Sequence, residues 1–119
     1  MKRKLFLHIG LHKTGTSAIQ RFLQSNRELL SKKSYHYIQS GQMEDFSNNW
    51  IGIGVSNLND RKEKAVKELN YHLNLLRKEI TSSEASNFIL SAETLANFYG
   101  TFGLFPLANF IQENFQDIK

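Results

Sequence analysis

The chain has 119 residues and a formal net charge of +4, with 40% hydrophobic and 22% charged side chains. That is the size and composition of one globular α/β-sized domain, residues 1–119, able to bury a modest core. No apolar stretch approaches the ~18–20 residues of a membrane span. The absence of cysteine excludes disulfides and thiolate metal sites, and the basic residues are not interleaved with aromatics as a nucleic-acid stacking surface requires.

The N-terminus MKRKLFLHIG is basic and then apolar, as a secretion signal is. Its apolar part is too short for one and no small-residue cleavage site follows, so a cytoplasmic location is expected. Leu5–Ile9 is dense enough in apolar residues to be a buried strand. Gly10 and Gly15 then bracket a polar turn holding His12, Lys13 and Thr14, and Thr16 or Ser17 can cap the helix that follows. That helix should run from about Thr16 to Ser31. Ile19, Phe22, Leu23 and Leu30 are expected on its inner side and Arg21, Gln24 and Arg27 on its outer face, with Lys32-Lys33 suited to its C-terminus. A strand feeding a helix through such a turn leaves the first helical N–H groups unpaired and pointing one way. That end favours an anion, phosphate above all. Lys13 adds a full charge there, and Thr14, Thr16 and Ser17 add hydroxyl donors.

Residues 35–39 can form a short strand or an extended segment. Residues 40–59 are polar and glycine-containing, and read as a loop region with one buried anchor near Trp50 and Ile51. The Gly52-x-Gly54 pair lacks the strand–helix context of a nucleotide loop. Long loops in compact domains are often functional, so this region is a candidate to face a substrate. Residues 60–81 have the clearest helical pattern. Asp60 and Glu63 have capping-box spacing, and Ala65, Leu69, Leu73, Leu76 and Ile80 form an apolar stripe. His72 is expected at the rim of that helix. Residues 87–91, NFILS, read as a second buried strand with Ser91, Ala92 and Glu93 at its carboxyl end. A third helix is expected after Pro106, with Leu107, Phe110, Ile111 and Phe115 inward, and Asp117-Ile118-Lys119 looks like the approach to another strand. The alternation predicts a three-layer α/β domain with a parallel sheet flanked by helices. If the two buried strands are parallel neighbours, Lys13 and Glu93 come to the same sheet edge, where ligands of open α/β sheets bind.

Charge is uneven along the chain. Residues 1–33 hold eight basic residues and one acid, a net +7, and the remainder hold seven against ten, a net −3. The basic end therefore coincides in sequence with the anion loop and could steer an anionic nucleotide. The alternative is a solubilising tail plus a solvated helix face, and that reading is preferred for Lys32 and Lys33. The four histidines, His8, His12, His36 and His72, lack metal-ligand spacing, and no metal is expected. His8 alternates with Leu7 and Ile9 and suits a satisfied core histidine.

The loop keeps the Gly10-to-Gly15 frame of a P-loop, but Thr16 stands where the P-loop lysine would follow the second glycine, and the lysine lies earlier, at Lys13. The stretch HKTGTS resembles the 5′-phosphosulfate loop of sulfotransferases that use 3′-phosphoadenosine 5′-phosphosulfate (PAPS). The longer string HIGLHKTGTSAIQ is similar to the bacterial and carbohydrate-type branch of that family. The resemblance implies a P-loop-like parallel sheet of which this chain is the N-terminal portion. It implies PAPS as co-substrate without metal, and transfer of its sulfuryl group to a hydroxyl of a carbohydrate or other small molecule. Lys13 would contact the bridging oxygen and stabilise the leaving bisphosphate, while Thr14, Gly15, Thr16 and Ser17 hold the 5′-phosphate and His12 lines the site. The family's general base is a His or Glu at the end of a strand beside the loop strand, a position that Glu93 in LSAETL matches. Glu93 suits equally a first-turn helix acid capped by Ser91. Family members are considerably longer, and the Arg and Ser that bind their 3′-phosphate have no counterpart here. A nucleotide-binding module without turnover therefore remains an alternative, and a P-loop kinase is a further one.

Overall fold

The computed structural model describes residues 2–8, 16–42, 47, 63–92 and 104–119. Four strands, β1 (Lys4–His8), β2 (Tyr35–Tyr37), β3 (Asn87–Ser91) and β4 (Asp117–Ile118), form one sheet in the order β2-β3-β1-β4. All three pairings are parallel. The helices are α1 (Thr16–Ser25), α2 (Arg27–Lys32), α3 (Glu63–Ser82) and α4 (Leu104–Asn114). The protein is thus α/β, a four-stranded parallel sheet flanked by helices. Among the described residues no helix is long and apolar enough to cross a membrane.

Strand alternation divides the sheet into two faces. Leu5, Phe88, Leu90 and Ala92 turn to one face, where Leu69, Leu73, Leu76 and Ile80 of α3 and Leu107, Phe110 and Ile111 of α4 close over them. The apolar stripes read from the sequence supply these residues. Phe6, His8 and Ser91 alternate to the opposite face, which α1 covers through Gln20. The connection from β1 to β2 passes over β3, whereas that from β3 to β4 runs back over β1, which is why the two helix layers lie on opposite faces.

The region read as one helix is two. At Asn26 (φ −110°, ψ 22°) the chain leaves helical geometry, and the Asn26 side chain donates to the Phe22 carbonyl at 2.7 Å. An amide that competes for the i−4 carbonyl disfavours continuation. The inward face of α1 also differs from the apolar stripe. Leu23 is buried, but Ile19 is 44% and Phe22 63% exposed, while Gln20 is 0% exposed. The side chains turned to the sheet are Gln20 and Leu23 of α1 and Arg27 at the start of α2, because the polar groups of Gln20 and Arg27 bond to strands. Arg27 is therefore not on an outer face. Its guanidinium donates to the Tyr37 carbonyl, lies 5.0 Å from the Tyr37 ring centroid, and donates through Nε to Gln24 at 2.7 Å.

After α2 the chain reverses through Ser34, whose φ of 67° is in the left-handed region. That costs a non-glycine residue of order 1 kcal/mol. The bonds Ser34 makes offset it: its Oγ accepts the Ser86 N–H at 3.0 Å and its carbonyl accepts the Asn87 N–H at 3.0 Å. These bonds stitch the amino ends of β2 and β3 together. The helix expected after Pro106 starts earlier, at Leu104. Pro106 sits in its first turn, where no intrahelical N–H bond is lost. Asp60, Trp50, Ile51, Gly52 and Gly54 lie outside the described residues.

Candidate functional site

The carboxyl edge of the sheet is where the candidate site must form. β1 and β3 are parallel neighbours, in register from Lys4↔Asn87 to His8↔Ser91. The pairing extends one residue further, since the Ala92 N–H donates to the His8 carbonyl at 3.0 Å. The two strands are followed by helices on opposite faces, α1 after β1 and α4 after β3. Two adjacent strands whose helices go to opposite faces define a topological switch point, and ligands of open α/β sheets bind in the crevice outside it. In the chain, residues 9–15 follow the end of β1 and residues 93–103 follow Ala92 at the end of β3, and these ends are about 4.8 Å apart at neighbouring strands.

Beneath that crevice lies a polar network. Ser91 Oγ accepts the Gln20 Nε2–H at 3.0 Å and pairs with His8 Nδ1 at 2.9 Å. A hydroxyl has one proton and two acceptor sites, so it serves both partners. The network ties the first turns of α1 to the ends of β1 and β3, and so fixes both anchors of residues 9–15. His8 is the satisfied histidine expected of its place in the strand. Gln20 was hidden in the sequence by its neighbour Ile19, and only its 3- and 7-residue spacing to Leu23 and Arg27 marks the face. Ser91→Ala would leave His8 and Gln20 each short of a partner. We expect a cost of about 1–3 kcal/mol in urea unfolding, the range for orphaned buried polar groups.

Of the site residues read from the sequence, Thr16 and Ser17 open α1, directly after the loop. His12, Lys13, Thr14, Gly15 and Glu93 lie outside the described residues. No protein-family model, curated protein or solved structure matches this chain.

The distribution of charge corrects one expectation. Lys2, Arg3 and Lys4 stand at the start of β1, and Lys32 and Lys33 at the end of α2, just before β2. These five of the eight early basic residues are at the amino edge, opposite the crevice. The length of β1 separates the two edges by about 13 Å. That exceeds the screening length of about 8–10 Å at moderate salt. Proximity in sequence is not proximity in a strand that crosses the sheet, so the field of these charges is largely screened at the carboxyl edge.

A second polar cluster, outside this crevice, ties α3 to the end of β2. Both carboxylate oxygens of Glu79 are doubly engaged. Oε2 accepts from the Gln39 N–H at 2.7 Å and from His36 Nε2 at 2.5 Å, and Oε1 accepts from the Ser40 N–H at 2.8 Å and the Ser40 hydroxyl at 2.6 Å. Burial pushes the Glu79 carboxyl up, but these hydrogen bonds outweigh it and hold it below its ordinary range. Burial lowers Arg27 from its usual value, against the attraction of Glu79 and Tyr37. Glu79 gave no sign of its role in the sequence because its partners are some 40 residues away.

Proposed function

We propose that this chain builds the 5′-phosphosulfate side of a PAPS site on a P-loop-like sheet and serves sulfuryl transfer to a hydroxyl of a carbohydrate or other small molecule. The observation that carries the reading is the switch point. HKTGTS follows β1, Glu93 follows β3, and these two strands are in-register parallel neighbours whose helices diverge. In this reading one crevice receives both the anion loop and a carboxylate.

Sulfuryl transfer needs in-line placement of acceptor and donor and positive charge at the developing phosphate. In this reading Lys13 carries that charge against the bridging oxygen. The N–H groups and hydroxyls of Thr14, Gly15, Thr16 and Ser17 hold the 5′-phosphate at the N-terminus of α1, and His12 lines the loop. Glu93 takes the proton of the acceptor hydroxyl, which requires hydrogen-bond reach in the bound complex. The sulfur–oxygen bond to the acceptor forms as that to the bisphosphate breaks, and the bisphosphate leaves as a dianion at its 5′ end.

The test is calorimetric titration of adenosine 3′,5′-bisphosphate and of Mg-ATP into wild type and Lys13→Ala. The expected result is preference for the bisphosphate, weakened about 10- to 100-fold by Lys13→Ala, the worth of one charge-assisted contact. Preference for Mg-ATP would replace this reading with a kinase-like one, and binding of neither would remove the nucleotide reading for this chain.

A further inference from the structure

The amino edge of the sheet, on the far side from the crevice, contains a cleft of about 530 Å³ lined by Lys2, Arg3, Lys4, Asn87, Gln116 and Asp117 with Ser86. Its backbone is held firmly. The Arg3 N–H donates to Gln116 Oε1 at 2.6 Å, and the Gln116 N–H returns to the Arg3 carbonyl at 2.9 Å. The one acid in it, Asp117, already stands between two lysines, Lys4 at 3.6 Å and Lys119 at 3.8 Å. Three cations thus face one carboxylate that is already shared. Arg3 Nε is buried and has no hydrogen-bond partner among the described residues. A buried guanidinium N–H left unpaired is costly, and native structures rarely retain one without an external partner.

A structural account of these charges exists. α3 and α4 both end near this edge, at Ser82 and Asn114, and neither carries a basic residue in its last turn. Nearby cations would offset the partial negative charge of those helix ends. That explains lysines at the edge, but not an unpartnered Arg3 Nε beside an open cleft. The volume lies in the range of small-molecule sites and exceeds the need of a bare ion.

We propose that this cleft is a second anion-binding site, independent of the crevice, that takes the phosphate or sulfate group of a small polar ligand. Arg3 supplies the planar fork suited to two oxygens, and Lys2 and Lys4 supply point charges. The proposal does not rest on the sulfuryl-transfer reading, since the two sites occupy opposite edges of the sheet.

The experiment is an amide NMR titration of the full chain with inorganic pyrophosphate, against sulfate and against chloride at matched ionic strength. Saturable shifts are expected at the Arg3, Asn87 and Gln116 amides with pyrophosphate, and weaker ones with sulfate. Arg3→Gln should weaken binding about tenfold or more, and Lys2→Gln, at an exposed position, several-fold, with the remaining spectrum unchanged. Lys13→Ala should leave these shifts intact, which separates this cleft from the loop. Shifts that chloride reproduces, or that persist undiminished in Arg3→Gln and Lys2→Gln, would overturn the proposal.

Discussion

Phe88→Ala should cost about 3–5 kcal/mol of folding stability, measured as the loss in urea unfolding free energy. Phe88 is 0% exposed on β3, the strand held between β2 and β1. Its ring meets two others edge-on, Phe115 at 5.7 Å and His36 at 5.8 Å. Each such pair adds about 0.5–1.5 kcal/mol beyond the burial itself. The rings come from β2 and from the residue after α4, so the cavity left by alanine would open between parts of the fold that have no local reason to collapse together. A domain of this size has about 5–15 kcal/mol in total, and the variant should lose a large part of it. Phe88→Leu fills much of the space but makes neither ring contact, and should cost clearly less. Equal losses for leucine and alanine would mean that the ring geometry, not the volume, decides this site.

What was legible in the sequence follows from what each signal depends on. NFILS is the strand read from its apolar run, because a central parallel strand is buried on both faces and needs no partner to reveal it. The stripe Leu69, Leu73, Leu76 and Ile80 is buried as expected, since one long helix packed on one sheet face satisfies a single period. Asp117-Ile118 pairs with β1, in keeping with the strand approach read there. The failures share a cause. α1 buries Gln20 in place of Ile19 and Phe22, and α2 half-buries Arg27, because their polar groups find strand partners 71 and 10 residues away. Hydropathy sees the residue and not the partner. The charge argument is limited in the same way, since Lys2–Lys4 stand at the amino end of β1, whereas the loop follows its carboxyl end in the chain. For the site, the order of motifs after strand ends was readable, and the sheet's topology supplied what was not: that β1 and β3 are neighbours in register.

Glu79→Ala should cost about 2–4 kcal/mol, the consequence of removing one half-buried acceptor that satisfies four donors. The Gln39 and Ser40 N–H groups, the Ser40 hydroxyl and His36 Nε2 all end on this carboxylate, and its side chain is only 16% exposed, so water does not readily replace it. Glu79→Gln keeps one acceptor oxygen and introduces an NH2 group facing donors, so it should recover only part of the loss. Acid should act on the same group. Its carboxyl is held in the folded state below the ordinary 4.5, so the unfolded chain binds the proton more readily. The stabilisation is therefore complete above that value and is lost as pH falls through the folded value. His72 adds a shallower loss of the same sign. Burial lowers it from 6.5, against the opposing charge of Glu68, so its contribution begins to fade below 6.5. Urea midpoints of wild type should thus fall gently below pH 6.5 and steeply below about 4.5, and Glu79→Gln should abolish the steep part. A Glu79→Gln profile that keeps the full acid slope would assign it to other carboxylates and reduce Glu79 to one helix acid among several. The consequence reaches the candidate site, because Gln39 and Ser40 form the exit of β2 at its carboxyl end, and the region from residue 40 onward, the candidate to face the acceptor, starts from the clamp that Glu79 makes.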